Sequence, residues 1–279
     1  EPEMARLWPH ILKVVSYISP GPWVMWADIP RPTYQKSINV INDYLHDIIR
    51  QRRALAEQPA DMIGPLLSQS AMTDEAIRDQ MVTMMIAGHD TCTAFLAWAF
   101  YALGQHEEIH EKMMTELTAV LGSEHPPTQK NLRQLIYLDQ IIKEALRLYP
   151  PVHMGNRHVS EPIEIDGCPI PKDTRLMYSI YLTHQDETVW EQPEQFCPAR
   201  FARGEGKKRP SFSYLPFGGG PRTCIGAMFA QVEAKIILAR IFQRCQLDLL
   251  TTHAHAHMGA ALEPRPGILM RVKKIMPEG

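Results

Sequence analysis

The sequence predicts a mainly helical protein with a small β region. Apolar residues recur at helical spacing through most of residues 34–149, and a further helix is predicted over residues 226–244. Between them, short alternating runs flank Asp166-Gly167 and predict a β-hairpin. Of the 279 residues, 45% are apolar, so the chain can bury a sizeable core, and we expect one domain.

The helical part has recognisable boundaries. Thr73 has the character of an N-cap, with Asp74 and Glu75 in the first turn of a helix of more than 30 residues. Pro150-Pro151 ends the last helix of this part. Residues 1–32 are proline-rich and receive no assignment. The predicted helices lie, in chain order, at 34–57, 60–69, 74–104, 105–121 and 136–149.

The long helix contains the longest apolar stretch of the chain, from about Met81 to Leu103. It is apolar on nearly all sides, which predicts a buried helix that crosses the middle of the domain. Gly88, His89, Asp90 and Thr91 interrupt it, and an aspartate at mid-membrane is costly. We therefore predict a core helix and not a membrane span.

The layout of the single predicted domain follows from these boundaries. A helical part covers about 34–149, and a small sheet with irregular proline-rich chain covers about 150–216. A cysteine loop and the last helix cover about 217–244. The tail carries short strand-like pieces, and we find neither internal repeats nor a low-complexity linker.

Composition excludes several classes of protein. The formal net charge of −2 gives no support to a nucleic-acid partner. The chain begins without methionine and without a basic-then-apolar leader, so we expect no signal peptide. The cysteine number is odd and no Cys-x-x-Cys pair occurs, which favours a reducing, cytoplasmic compartment. The five cysteines are Cys92, Cys168, Cys197, Cys224 and Cys245.

One cysteine lies in an unusual loop. The stretch FGGGPRTCIG, residues 217–226, places Cys224 directly before the last helix. A phosphate loop would need Gly-Lys-Ser/Thr at its end, and a dinucleotide loop would need glycine where Thr223 lies. Unpaired N–H groups at the start of a helix stabilise a thiolate. The glycines allow a large flat group to approach, and Arg222 can bind an anionic group. A buried free cysteine at a turn is the alternative interpretation.

This loop resembles the haem-binding signature of the cytochrome P450 family, Phe-x-x-Gly-x-Arg-x-Cys-x-Gly. Every fixed position agrees, namely Phe217, Gly220, Arg222, Cys224 and Gly226. The resemblance implies a mainly α P450 fold, haem b (iron protoporphyrin IX) as cofactor, and Cys224 as the axial ligand of the haem iron.

The sequence AGHDT, residues 87–91, resembles the family's oxygen-activation stretch. Gly88 would leave room over a haem face. The Thr91 hydroxyl would turn to the carbonyl of Ala87, four residues back. Asp90 beside Thr91 would provide a proton route. Cys92 follows where the family usually has threonine or serine, which affects the detail of that route. A satisfied polar cluster in a buried helix is the alternative interpretation.

Three further positions resemble the family's structural network. KEALRLYPP contains Glu144 and Arg147, which share one helix face. PARF, residues 198–201, keeps Arg200 but has Ala199 in place of the usual acid. The resemblance implies that Glu144, Arg147 and Arg200 form a buried charge network with a structural role.

The segment PPVHMGNRHV, residues 150–159, contains positions that the family uses around the haem. Arg157 matches a frequent partner of a haem propionate, and an exposed strand arginine is the alternative. Val152, His153 and Met154 fall where the family lines its substrate pocket. Ordinary core or edge residues are the other interpretation of these three.

The resemblance implies a haem-thiolate monooxygenase that inserts one atom of O₂ into a lipophilic substrate. Asp90 and Thr91 would deliver protons, and Gly88 would leave space for O₂. A ferredoxin, a flavodoxin or a flavoprotein reductase would supply electrons.

The resemblance runs from about Tyr34 to the end and predicts a P450 fold truncated at the N-terminus. The absent part carries a membrane anchor in some members. Three rivals remain: a peroxide-using or isomerising haem-thiolate enzyme, a non-catalytic remnant, and a cysteine hydrolase.

Overall fold

A computed structural model describes residues 2–17, 30–122 and 126–275 of the chain, with the backbone alone at residues 2, 207 and 208. Nine of the described segments are helices, and the mainly α class is confirmed. They are α1 (Pro2–Ser16), α2 (Tyr34–Arg53), α3 (Ile63–Leu67), α4 (Asp74–Gln105), α5 (Glu107–Leu121), α6 (Gln129–Leu132), α7 (Ile136–Leu148), α8 (Ile180–Thr183) and α9 (Ala227–Arg244).

The described strands form four antiparallel pairs of two strands each. The pairs are β1 (Met154–His158) with β4 (Arg175–Ser179), β2 (Ile163–Ile165) with β3 (Cys168–Ile170), β5 (Cys245–Leu249) with β8 (Met270–Ile275), and β6 (His255–Met258) with β7 (Leu262–Arg265). Short 3₁₀ turns at Pro198–Phe201, Glu205–Lys208 and Gly220–Arg222 interrupt the irregular chain.

The chain divides into two compact units, Glu1–Asp90 and Thr91–Gly279, and the division falls within α4. The prediction of one domain stays a prediction. Helix α1 lies in the region that received no assignment from the sequence, and residues 18–29 of that region are outside the described part.

In the first unit, α1 packs on α2. Both helices present apolar residues at spacings of three and four, and these meet in one buried cluster: Leu7, Ile11, Val14, Ile41 and Leu45. The predicted N-cap of α4 is confirmed, because the Ala76 N–H donates to Thr73 Oγ1 over 3.2 Å.

In the second unit, α4, α5, α7 and α9 surround the main core. Its fully buried residues include Ala99, Met113, Ile141 and Leu238. Trp98 stacks on Tyr149 with 4.0 Å between ring centroids. The Glu116 carboxylate of α5 accepts the N–H groups of the first turn of α7. The N-terminal donors of α7 are thus satisfied by a neighbouring helix.

Helix α4 is buried along only part of its length. Six residues of its C-terminal part are buried: Ala94, Phe95, Trp98, Ala99, Ala102 and Leu103. Every residue from Met81 to Thr93 is half-buried or exposed. The expectation of a helix buried throughout is therefore wrong for this stretch. Residues 88–93 are glycine or polar, or carry a small thiol, and offer little apolar surface to bury. None of the described helices is long and apolar enough to cross a membrane.

The predicted hairpin at Asp166-Gly167 is confirmed. Strands β2 and β3 pair with Ile165 opposite Cys168. The two residues between them have φ angles of 48° and 77°. Positive φ at both central positions belongs to the type I′ turn that Asp-Gly favours.

Candidate functional site

The cysteine loop is a tight turn that ends directly before α9. Gly218 and Gly220 both have φ of 71°, a region that glycine adopts without strain. The Cys224 N–H donates to the Phe217 carbonyl over 2.9 Å, which closes the turn. Phe217 packs on the edge of the main core. The loop therefore fixes the Cys224 backbone relative to the core of the second unit.

Cys224 is exposed, and three exposed apolar residues lie within the five positions that follow it in the chain. Ile225 is 93% exposed, Met228 73% and Phe229 64%. Single exposed apolar residues are common, but three beside one exposed thiol form an apolar surface with a soft metal ligand in it. A large flat apolar group that carries a thiophilic metal fits this arrangement. At Gly226, an added Cβ would lie 3.8 Å from the sulfur.

Two arginines predicted to bind anionic groups are both exposed. Arg222 belongs to the 3₁₀ turn before Cys224. Arg157 lies on β1, where its guanidinium donates to the Asn156 carbonyl over 2.8 Å and lies 5.4 Å from the Tyr178 ring centroid. Neither side chain is held in a buried ion pair, so both can reach an anionic group of a ligand.

Residues 87–90, which include Gly88, are the last residues of the first unit. Ala87 and Gly88 are exposed, and a Cβ added at Gly88 would meet nothing within 4 Å. His89 Nδ1 lies 2.8 Å from Asp90 Oδ1, and the His89 ring meets Trp8 of α1 edge on at 4.4 Å. Since an ionised carboxylate only accepts, the imidazole N–H is the donor to Asp90. The bond from Thr91 to the Ala87 carbonyl stays a prediction.

Thr91 and Cys92 are the first residues of the second unit. Cys92 interacts with Glu233, a residue that the sequence analysis did not identify. The Thr91 hydroxyl bonds to the Cys92 sulfur, and the thiol bonds to the Glu233 carboxylate of α9. Burial and the Glu233 carboxylate raise the pKa of Cys92 to about 11, and Cys224 adds to this effect. Cys92 is therefore a neutral thiol at neutral pH, near the exposed Cys224. Nothing in the local sequence around Glu233 indicated this link between two helices.

Glu144, Arg147 and Arg200 meet in the second unit. Glu144 and Arg147 are fully buried, and two parallel hydrogen bonds of 2.8 and 2.9 Å join them. Arg200 Nε donates to the same Glu144 Oε1 over 3.2 Å. The Cys197 N–H also donates to this oxygen. All these groups are paired, as burial of charge requires. Their structural role stays a prediction.

The predicted pocket residues do not share one orientation. Val152 is 45% exposed and Met154 43%, whereas His153 is half-buried. The exposure of these three side chains alternates, as is typical of an extended backbone, in which successive side chains point to opposite faces. Their role toward a substrate stays a prediction.

A separate cavity of about 360 Å³ lies elsewhere in the second unit. Its lining includes Tyr101, His106, Tyr149 and Phe196 and does not include Cys224. The candidate site thus lies on the open apolar surface at Cys224 and not in this cavity.

Comparison with known proteins identifies the class to which this fold belongs. The family model for cytochrome P450 matches residues 1–275. Among curated relatives, cytochrome P450 4A12B of Mus musculus is 40% identical over 229 residues, which cover 81% of this chain and 45% of that protein. Cytochrome P450 4c3 of Drosophila melanogaster is 35% identical over 269 residues, covering 86% and 50%.

Solved structures of cytochrome P450 heme domains have a similar fold. The crystal structure of the cytochrome P450DA heme domain superposes with a TM-score of 0.88 at 25% identity, over 97% of this chain and 61% of that one. The chain belongs to the cytochrome P450 family, and the family match begins before Tyr34, earlier than the sequence analysis expected. It spans about half the length of the curated relatives it matches.

Proposed function

We propose that the chain is the haem-thiolate part of a monooxygenase, with Cys224 as the axial ligand of haem b. The observation that supports this most directly is the exposed Cys224 thiol among exposed apolar side chains, at the end of a glycine-rich turn. Membership in the P450 family implies a haem cofactor. When bound, a thiolate-ligated haem activates O₂ and transfers one oxygen atom to a C–H or C=C bond.

The residues of the cysteine loop bind and orient the cofactor in this proposal. Cys224 Sγ would hold the iron, and Phe217 and Gly226 would border it on the loop side. Arg222 and Arg157 would bind the two propionates, because both guanidiniums are exposed.

The residues of α4 deliver protons. Gly88 would leave space for O₂, since a Cβ added there would meet no atom within 4 Å outside its own helix backbone among the described residues, and the Ala87 carbonyl would accept from the Thr91 hydroxyl. Asp90 would pass a proton to Thr91 Oγ1, the next residue along the helix. Cys92 and Glu233 lie beside this pair, and Thr91 and Glu233 both act on the Cys92 thiol. The acid–alcohol pair is the reason to prefer a monooxygenase to a peroxide-using or isomerising enzyme, which does not need it.

The substrate is a lipophilic small molecule, with Val152, His153 and Met154 near its binding place. The electrons come from a ferredoxin, a flavodoxin or a flavoprotein reductase. The five cysteines are all free, which fits a reducing, cytoplasmic location.

The absorption spectrum of the haem-bound protein, reduced and exposed to carbon monoxide, tests the ligand assignment. We expect a strongly red-shifted Soret band that Cys224→Ser removes. Cys168→Ser is the matched control, because Cys168 is also an exposed free cysteine and lies in the β2–β3 hairpin. A band typical of histidine ligation in the parent protein would overturn the assignment, and so would a red-shifted band in Cys224→Ser.

Thr91→Ala tests the proton route. We expect O₂ consumption to continue with released peroxide and a loss of product of about 10²-fold, since general acid–base steps contribute about that much. Product formation unchanged by Thr91→Ala would contradict the route and favour the peroxide-using alternative.

A further inference from the structure

A buried histidine connects the charge network to the cysteine loop. His184 follows α8 and is fully buried. Its Nδ1 lies 3.0 Å from the Arg147 carbonyl oxygen, and its Nε2 lies 2.8 Å from the Leu215 amide nitrogen. A carbonyl can only accept and an amide N–H can only donate. The ring must therefore be neutral, with its proton on Nδ1 and its lone pair on Nε2.

Arg147 and His184 hold each other in both directions. The Arg147 Nη1 donates to the His184 carbonyl over 2.8 Å, while the imidazole donates to the Arg147 carbonyl. Arg147 is itself fixed by its two hydrogen bonds to Glu144. The position of the imidazole is thus set by a buried and fully paired charge network.

On its other side, the imidazole holds the chain that carries the cysteine. Leu215 precedes Phe217 by two residues, and the Phe217 carbonyl accepts the Cys224 N–H. The Leu215 carbonyl accepts the Gly218 N–H over 2.9 Å, which starts the turn. The Tyr214 ring stacks on the imidazole at 5.4 Å, and its hydroxyl donates to the Lys143 carbonyl of α7. Hydrogen bonds, joined by short stretches of backbone, therefore connect Glu144 with Cys224.

We propose that His184 is a positioning residue for the axial cysteine, acting as a neutral Nδ1–H imidazole that anchors the Leu215 amide to the Glu144–Arg147 pair. This inference rests on the proposed role of Cys224. A protonated ring would place an N–H against the Leu215 N–H and release the loop. Two positively charged groups near the His184 imidazole disfavour a second positive charge on it. Arg147 hydrogen-bonds with His184, and the Arg209 guanidinium lies over the Trp190 ring, which contacts the imidazole edge on. Glu144 is the one acid of this charge network, and its carboxylate is already paired with Arg147 and Arg200.

Two substitutions separate the two hydrogen bonds of the ring. Asparagine at this position offers an amide donor at the place of Nδ1 but nothing at the place of Nε2. Glutamine reaches the place of Nε2 with a carbonyl oxygen and can accept the Leu215 N–H. His184→Asn should therefore release the loop, and His184→Gln should keep it.

The experiment compares the reduced carbon monoxide spectra of the haem-bound parent, His184→Asn and His184→Gln. In His184→Asn, we expect the red-shifted thiolate-type band to convert to the band of a haem without thiolate ligation about tenfold faster than in the parent. A factor of about ten corresponds to the loss of one hydrogen bond. His184→Gln should stay within about twofold of the parent, because it keeps the bond to the Leu215 amide that holds the loop. Equal losses in both variants, or no change in His184→Asn, would overturn the proposal.

Amide hydrogen exchange keeps the test independent of the haem. The Leu215 amide should exchange about tenfold faster in His184→Asn than in His184→Gln, while the Tyr149 amide, which directly follows α7 and donates to the Ala145 carbonyl, stays unchanged. If the parent shows no thiolate-type band, the proposed function fails, and this exchange ratio still decides whether His184 anchors the loop. A ratio near one would reject the anchor.

Discussion

At the scale of single residues, Glu144 and Arg147 form a fully buried ion pair in the second unit. Both side chains are fully buried, and the Glu144 carboxylate accepts from Arg147, Arg200 and the Cys197 amide. Such a pair adds little stability over an apolar pair, but removing one partner leaves a charge without compensation.

Glu144→Gln should therefore lower the free energy of unfolding by about 3–5 kcal/mol. Urea unfolding of parent and variant measures this difference. Glu263→Gln is the matched control, because Glu263 forms a 3.2 Å ion pair with Arg265 on the surface. We expect that control to lose less than about 1 kcal/mol. Similar losses at the two sites would show that burial does not determine the cost.

Cys92 gives a second prediction at this scale, through its pKa of about 11. Only the thiolate reacts with iodoacetamide, so Cys92 is about one-thousandth reactive at pH 8. Its alkylation rate in the folded protein should rise about tenfold per pH unit between pH 8 and 10. Mass spectrometry follows the rate, with the exposed Cys168 as reference. A plateau of the Cys92 rate near pH 9 would mean that its pKa is not raised.

At the scale of elements, helix α4 contains two glycines in opposite surroundings. Among the described residues, and apart from the backbone of its own helix, a Cβ added at Gly88 would meet no atom within 4 Å. At Gly104, an added Cβ would lie 2.7 Å from Leu249 Cβ, closer than real Cβ atoms approach. Gly88 therefore has room for a side chain, whereas Gly104 lies where α4 and β5 are in close contact.

The same substitution should accordingly have opposite effects. Gly88→Ala should raise the free energy of unfolding by about 0.5–1 kcal/mol, because alanine favours helix more than glycine does. Gly104→Ala should lower it by about 1–3 kcal/mol, because the Leu249 side chain must move. Thermal and urea unfolding measure both. A loss of stability in Gly88→Ala would show that the space beside it is filled by the protein.

The Gly88 substitution also separates stability from the proposed function. If Gly88 leaves space for O₂, Gly88→Ala should weaken binding of O₂ or carbon monoxide to the reduced haem while the protein becomes more stable. Unchanged gas binding would place the open side of Gly88 away from the haem.

At the scale of the whole molecule, pH links folding to the cysteine loop through His184. Burial lowers the pKa of His184 to about 4, below the ordinary value of 6.5, although the hydrogen bond to the Arg147 carbonyl acts in the opposite direction. The folded form then binds fewer protons than the unfolded form between these values. The stability contribution is complete above pH 6.5 and is lost as the pH falls toward 4.

The parent protein should lose about 3 kcal/mol more than His184→Gln between pH 7 and pH 4, because glutamine does not titrate. Urea unfolding at several pH values gives this difference, and groups common to both proteins cancel. Parallel pH curves for parent and variant would show that His184 does not carry the acid sensitivity.

The sequence by itself determined features that depend on local pattern. Periodicity predicted the class and most helix positions, Thr73 marked the start of α4, and Asp166-Gly167 predicted a hairpin. The loop around Cys224 indicated the family, because glycine spacing and a cysteine before a helix are local. Each of these is decided by interactions between residues close in the chain.

The tertiary structure decided what depends on residues far apart in the chain. Only the fold brings His184 to both Arg147 and Leu215, and only the fold places Glu233 beside Cys92. Burial of α4 was predicted throughout but is absent from Met81 to Thr93, because periodicity shows which residues are apolar and not what covers them. Contacts across 31 to 141 residues depend on packing, and a single sequence carries no local pattern for them.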